Sequence, residues 1–148
     1  THAIELAEGA GNFYLKPNGV FWTDDAGAHV DVAEAWTGGE GTVRLATQSG
    51  PMLLIDGAPH PALREDSPNL LPRSGVGVSD AHTVHLAMSQ GNVRFWELAT
   101  LFRDVLGCSD ALYLDGVISQ WVDPTHPHGP EVDGRFASML VVTTPAAQ

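Results

Sequence analysis

Residues 111–119 read ALYLDGVIS. The apolar run at the start of this segment, ended by Asp115 and Gly116, predicts a strand that is covered on both faces and followed by a turn. An acidic side chain directly after a buried strand leaves the core at the edge of the sheet. We therefore predict that this strand delivers Asp115 and the following turn into a polar pocket. From these residues alone, an aspartate that only caps a turn is an equally good interpretation.

The rest of the chain favours many short strands. Sixteen glycines and ten prolines interrupt its 148 residues, and such punctuation is typical of a β-rich fold. The residues GNFYLKPNGVFWT predict a β-hairpin, because Pro17 presets one turn residue and Asn18-Gly19 tolerates positive φ. Further strands are predicted at 42–47, 51–55, 75–79, 84–89, 111–114 and 139–143. Proline-rich loops are predicted at 58–72 and 122–135.

One amphipathic helix is predicted from about residue 93 to residue 107. Its apolar residues recur at helical spacing, namely Phe95, Leu98, Ala99, Phe102, Val105 and Leu106. Asn92 is expected to cap the start and Gly107 to end the helix. Residues 30–36 also allow a short helix. The pattern predicts a single α+β domain over residues 1–148, with a mostly antiparallel twisted β-sheet packed on one principal helix.

The charge of the chain restricts its partners. Eighteen acidic residues against seven basic ones give a formal net charge of −11, which repels phosphate backbones and anionic membranes at long range. No apolar run approaches the roughly 20 residues that a membrane crossing needs. We expect no nucleic-acid partner and no membrane insertion. Nothing in the sequence indicates a cofactor or an oligomeric state, and residues 1–11 do not read as a signal peptide.

Cys108 is the single cysteine. With a single cysteine, the chain cannot form an intrachain disulfide or a cysteine-based zinc site. Because no activating partner is recognisable nearby, we interpret it as a small buried side chain rather than a catalytic thiol.

Two further segments combine polar or small residues with strong strand patterns. Gln48-Ser49-Gly50-Pro51 interrupts two predicted strands, which indicates either a bulge beside a functional site or a structural bend. In residues 73–79, RSGVGVS, glycines alternate and leave one strand face without bulk, so a ligand or another element is expected to lie against it. Arg73 offers a planar guanidinium suited to phosphate or carboxylate, and a solvated surface arginine is the alternative.

Histidines and tryptophans offer weaker signals. His82 with His85 and His126 with His128 form two pairs that would bind metal only with added carboxylates, and solvated imidazoles are the commoner finding, so no metal site is predicted. Trp36, Trp96 and Trp121 are able to stack on a sugar. Trp96 fits the helix core better, and Trp121, close to the candidate pocket, is the better platform.

Taken in order, five segments resemble the phosphodiester glycosidase family, in its bacterial branch. The resemblance covers about residues 11–142. The segments are GNFYLKPNGVF, TQSGPMLLIDG, RSGVGVS, FWELATLFRDVLGC and ALYLDGVIS.

This resemblance implies hydrolysis of the bond between the anomeric carbon of a sugar and a phosphodiester oxygen, on a sugar phosphodiester or glycan substrate. It implies catalytic roles for Asp115 at the anomeric carbon, for Ser119, and for Arg73 on the phosphate. The implied substrate-binding residues are Gln48, Ser49, Gly50, Gly116 and Trp121. A periplasmic or secreted location is implied as well.

The chain departs from the family in one respect. Members carry an Asn-x-Gly-Met-Phe or Asn-Gly-Gly-Phe-Phe type motif before the first hairpin, and no such motif occurs here. We therefore expect the family's N-terminal segment to be missing. A non-catalytic glycan-binding or structural domain that uses the same cleft is the alternative to a hydrolase.

Overall fold

The computed structural model describes residues 4–38, 42–125 and 139–144. Its eight strands form two sheets in which every strand pair is antiparallel. Sheet A has the order β2-β1-β3 and sheet B the order β5-β4-β8-β6-β7. The strands are β1 Gly19–Thr23, β2 Ala28–Val32, β3 Leu45–Ser49, β4 Met52–Ile55, β5 Ala58–Pro59, β6 Ser74–Asp80, β7 Thr83–Met88 and β8 Asp110–Tyr113.

The principal helix has two parts. An α-helix, α1, spans Phe95–Thr100 and continues as a π-helical turn over Leu101–Val105. Arg94 rather than Asn92 is the capping residue, and its N–H donates to Glu97 Oε2 over 2.7 Å. Gly107 follows with a φ of 66°, as the sequence predicts for the end of the helix.

The elements stack in three layers. The helix packs on one face of sheet B through Leu53, Leu98 and Phe102. The other face of sheet B packs on sheet A, where Phe21 and Val30 contact a cluster with Val76 and Leu112. The predicted class, α+β with a mostly antiparallel sheet and one helix, is confirmed. The sheet is divided in two, which the sequence pattern did not reveal.

The predicted hairpin at Lys16–Gly19 is wrong. Residues Asn12–Tyr14 form a 3-10 turn, and β1 pairs with β2 and β3 instead. The cause is Asn18, whose buried side-chain amide donates to the carbonyls of Phe13 (2.6 Å) and Leu15 (2.7 Å). These carbonyls therefore bond to a side chain rather than to a neighbouring strand.

Two other predicted elements are also wrong. Residues 30–36 do not form a helix: Ala28 and Val30 alternate inward in strand β2, and a turn follows. Residues 139–143 do not form a strand, and Met139, Val141 and Val142 are exposed there. The loop predicted at 122–135 lies outside the described residues from 126 onward.

The alternating glycines of β6 make room for the helix. A Cβ at Gly77 would lie 2.7 Å from the Phe102 ring and 2.9 Å from Cys108 Sγ. The sequence predicts either a ligand or another element of the fold against this face, and the helix is what packs there. Cys108 is buried there, and burial raises the pKa of its thiol to about 11, which suits the packing role that we expected of it. Among the described residues, no helix combines the length and the apolar character that a membrane crossing requires.

We expect Gly77→Ala to lower the free energy of unfolding by about 1–3 kcal/mol, because its methyl group would overlap Phe102 and Cys108. Chemical denaturation measures this loss. Gly91→Ala is the matched control, since a Cβ at that exposed position meets no atom within 4 Å, and it should stay within about 0.5 kcal/mol of the wild type. Equal stability of the two variants would contradict the packing of the helix on β6.

Candidate active site

Strand β8 ends where polar side chains gather. Its residues Ala111, Leu112 and Tyr113 are fully buried between β4 and β6, which confirms the predicted buried strand. After Leu114 the chain leaves the sheet, the side chain of Asp115 is exposed and Gly116 is buried. The N–H of Gly116 donates to Asp115 Oδ1 over 2.5 Å.

Ser74, at the start of β6, holds this turn in place. Its backbone N–H donates to the carbonyl of Asp115 (2.6 Å), and its Oγ accepts from the N–H of Asp115 (3.2 Å). The same Oγ lies 2.7 Å from Ser119 Oγ and 2.9 Å from the Asp115 carbonyl oxygen. Ser74 therefore brings Asp115 and Ser119 to one site.

Ser49 reaches the site from sheet A. It is buried at the end of β3, and its Oγ donates to the carbonyl of Leu114 over 3.1 Å. The next two residues, Gly50 and Pro51, carry the chain from sheet A to sheet B. The predicted bend or bulge at this motif is thus the crossing between the sheets, and it lies against the end of β8.

Gln48 adjoins the site, but its side chain binds the N-terminal segment. The amide nitrogen donates to the carbonyl of Glu5 (2.6 Å) and to Asn18 Oδ1 (3.0 Å), and the amide oxygen accepts from the N–H of Glu5 (2.9 Å). Gly50 is similarly enclosed, since a Cβ there would lie 2.3 Å from Asn18 Nδ2. Substrate contacts by Gln48 and Gly50 stay a prediction, and both residues have structural contacts in the fold.

Arg73 lies beneath the site rather than at its surface. Only 1% of the residue is exposed. Its Nε donates to the carbonyl of Val93 (2.9 Å), one Nη donates to that of Asn69 (3.2 Å), and its Cζ lies 3.6 Å from the centre of the Phe95 ring. Burial lowers the pKa of Arg73, and the nearby Tyr113 opposes this shift. A guanidinium in this position is not presented to a ligand at the surface.

Trp121 follows the turn and is 45% exposed. Its Nε1 donates to Asp123 Oδ2 over 2.7 Å. The tryptophan retains exposed ring surface, which a sugar platform requires. Trp96, by contrast, packs half-buried against the helix core.

The site at Asp115 is open to solvent. A cavity of about 350 Å³ lies elsewhere, at the opposite end of β8, where its lining includes Trp22, Asp31, Trp36 and Asp110. Asp115 follows Asp110 by five positions of mostly extended chain, roughly 16 Å at about 3.3 Å per residue. The polar pocket expected at Asp115 stays a prediction, and the 350 Å³ cavity does not include Asp115.

Two site residues were missed in the sequence. Ser74 lies at the start of the glycine-rich strand, and the sequence pattern assigns it no role. The sequence predicts Tyr113 only as part of a buried strand, and in the structure its hydroxyl lies close to Gly116. Because the partner strand of β8 was unknown from sequence, neither contact followed from the pattern.

No group of three or more His, Cys, Asp or Glu side chains suited to a metal ion occurs within residues 4–38, 42–125 and 139–144. His85 Nε2 lies 3.0 Å from Ser79 Oγ. His126 and His128 fall outside the described residues.

Comparison with known proteins assigns the chain to a family. The family model described as phosphodiester glycosidase matches residues 2–143. The chain belongs to the phosphodiester glycosidase family. Over 119 residues it is 34% identical to the Escherichia coli (strain K12) protein named Uncharacterized protein YigE, and the match covers 79% of this chain. The chain spans 46% of the length of that relative. No solved structure matches this chain.

We expect Gln48→Ala to lower the free energy of unfolding by about 1–3 kcal/mol, because Glu5 and the buried Asn18 would lose hydrogen-bond partners. Hydrogen exchange at the Glu5 N–H should also become faster. Gln90→Ala, at an exposed position, is the control and should change neither quantity. A Gln48→Ala protein with wild-type stability and exchange would show that these bonds do not hold the N-terminal segment.

Proposed function

We propose that this chain hydrolyses the glycosidic bond of a sugar-1-phosphodiester, with Asp115 at the anomeric carbon. The observation that supports this most is the meeting of Asp115, Ser74 and Ser119 at the end of a buried strand, in a chain that belongs to the phosphodiester glycosidase family. The family membership supports a glycosidase acting on a glycan-type substrate. The residue roles and the bond cleaved are our proposal.

The reaction adds water across one bond. The oxygen of water bonds to the anomeric carbon as the bond from that carbon to the phosphodiester oxygen breaks. The electron pair of the broken bond leaves with the phosphate monoester. One proton of the water stays in the new hydroxyl of the free sugar, and the other passes to the monoester or to solvent. Because the phosphate monoester is a stable anion, it needs less protonation on leaving than an alcohol does.

Asp115 supplies the charge that this reaction requires. Positive charge develops on the anomeric carbon in an oxocarbenium-like transition state, and an adjacent carboxylate stabilises it, attacks it or activates the water. The carboxylate of Asp115 is exposed, and one of its oxygens is held by the Gly116 N–H. The second oxygen makes no hydrogen bond to the residues that the structure describes, and in this proposal it faces the substrate.

Hydroxyl and N–H groups supply the contacts to oxygen. Ser74 and Ser119 present two hydroxyls 2.7 Å apart beside Asp115. The N–H groups of Val117 and Ile118, in the same turn, make no hydrogen bond to any residue that the structure describes. Such donors fit a phosphate on a protein with a net charge of −11. The exposed ring of Trp121 is suited to stack on the sugar.

Arg73 has no direct phosphate contact in this proposal. Its guanidinium is buried, and its nitrogens bond to the carbonyls of Val93 and Asn69. Reaching a surface phosphate would break these bonds and remove the guanidinium from the face of Phe95.

We expect Asp115→Asn to reduce release of free sugar from a synthetic glycosyl phosphodiester by at least about 100-fold, because the amide carries no charge for the transition state. Asp56→Asn is the matched control. It removes the same charge near the start of β8, where the Asp56 N–H donates to Asp110, and it should leave the rate unchanged. Turnover by Asp115→Asn at the wild-type rate would refute the assignment of Asp115.

A non-catalytic glycan-binding domain gives a different result in the same experiment. In that case the wild-type chain would bind the glycosyl phosphodiester saturably and release no sugar. Calorimetry alongside the sugar assay therefore separates the two functions.

A further inference from the structure

Arg73 is a buried cation without an acidic partner among the described residues. Its side chain donates to two backbone carbonyls and is hydrogen-bonded to the Tyr113 side chain, and its flat face lies on Phe95. Burying a charge in this way is costly, and an apolar side chain of similar volume is often as stable or more so. The packing of the core alone therefore does not account for an arginine at this position.

Tyr113 connects Arg73 to the turn above it. The Tyr113 ring is 99% buried, lies edge-on to Phe95 at 4.8 Å, and has its centre 5.8 Å from Arg73 Cζ. Its hydroxyl oxygen is so close to Gly116 that a Cβ on this glycine would lie 2.8 Å from it. The phenol therefore separates the buried guanidinium from the peptide of Gly116.

Gly116 in turn orients Asp115. The Gly116 N–H donates to Asp115 Oδ1, and its carbonyl accepts from the N–H of Ser119 over 3.0 Å. The carbonyl oxygen of Pro72 packs against the same side of Gly116 as the Tyr113 hydroxyl, since it would lie 2.5 Å from a Cβ at this glycine. Any movement of this peptide therefore changes the direction in which the Asp115 carboxylate points.

Arg73 also fixes the second support of the turn. Its N–H donates to Ser89 Oγ (2.9 Å), and its carbonyl accepts from the N–H of Ser89 (2.8 Å). The next residue along the chain is Ser74, which bonds to Asp115 and Ser119. Arg73 therefore contributes to the position of this turn in two ways. Its side chain acts through Tyr113, and its backbone acts through the neighbouring Ser74.

We propose that Arg73 and Tyr113 are positioning residues that hold the Gly116 peptide, and through it the Asp115 carboxylate, in place. Arg73 acts through the Tyr113 hydroxyl and through Ser74, and neither Arg73 nor Tyr113 touches the substrate. The effect of this positioning on catalysis rests on the proposed function. The positioning of the Gly116 peptide can be tested without it.

Tyr113→Phe tests the proposal with the smallest change, since it removes one oxygen atom and keeps the ring. We expect hydrogen exchange at the N–H groups of Gly116 and Ser119 to become about tenfold faster as the turn loosens. Exchange at Val78, within β6, should not change. Tyr14→Phe removes the hydroxyl of the other tyrosine and should leave all three rates at their wild-type values.

Kinetics with a glycosyl phosphodiester give the second readout. We expect Tyr113→Phe to lower kcat by about 10- to 100-fold, as misplaced catalytic groups do, with KM within about twofold of the wild type. Arg73→Lys keeps the charge but not the planar stack on Phe95, and should fall between the wild type and Arg73→Met in both kcat and turn exchange.

The outcomes separate the two proposals. Faster exchange at Gly116 and Ser119 in Tyr113→Phe supports the positioning role even if the wild-type chain releases no sugar, a result that would refute only the proposed function. Wild-type exchange in Tyr113→Phe would overturn the positioning role, whatever the activity. Sugar release by the wild type together with an unchanged kcat in Tyr113→Phe would also overturn it. Because Tyr113→Phe is nearly isosteric, the decision stands even if Arg73→Met fails to fold.

Discussion

Strand β8 is hydrogen-bonded on both edges, to β4 on one side and to β6 on the other. Both of its faces are also covered, because Leu112 packs toward sheet A while Ala111 and Tyr113 pack toward the helix. A strand held in four directions has no freedom to shift its register. The residues that follow it therefore leave the sheet at one defined place, which is where Asp115 meets Ser74.

The polar contacts at this place are arranged in layers. Ser74 and Ser119 lie beside Asp115 at the surface, Gly116 and Tyr113 lie below, and Arg73 is buried beneath them against Phe95. The lower layer carries a positive charge in an enclosed setting, and the upper layer carries an exposed carboxylate. In the proposed mechanism, this order lets Arg73, which does not reach the substrate, affect the orientation of Asp115, which does.

Much of the fold could be predicted because its strands are short, strongly apolar and punctuated by glycine and proline. The helix, β4, β6, β7 and β8 lie where periodicity and turn residues place them. The failed hairpin at Lys16–Gly19 has a specific cause, since the carbonyls of Phe13 and Leu15 bond to the Asn18 side chain. A local pattern cannot reveal that a side chain competes with strand pairing. The sequence also did not reveal the division into two sheets, because the chain crosses from sheet A to sheet B within only two residues, Gly50 and Pro51.

The candidate site was predictable in part. An aspartate after a buried strand and a serine four residues later could be recognised from spacing, and both lie at one site. The contribution of Ser74 could not be recognised, because it depends on β6 being the neighbour of β8, a pairing of residues 32 to 38 positions apart. The burial of Arg73 was hidden as well, since an arginine before a glycine-rich strand looks the same in sequence whether it faces solvent or Phe95.

A crystal structure with a non-hydrolysable glycosyl phosphonate tests the central claim, that Asp115 acts on the anomeric carbon. The account predicts that this carbon lies about 3–3.5 Å from a carboxylate oxygen of Asp115, the separation of reacting atoms before attack, with Ser74 and Ser119 in contact with the ligand. A ligand bound instead in the cavity at the opposite end of β8, between Trp22, Trp36 and Asp110, with Asp115 unoccupied, would contradict it.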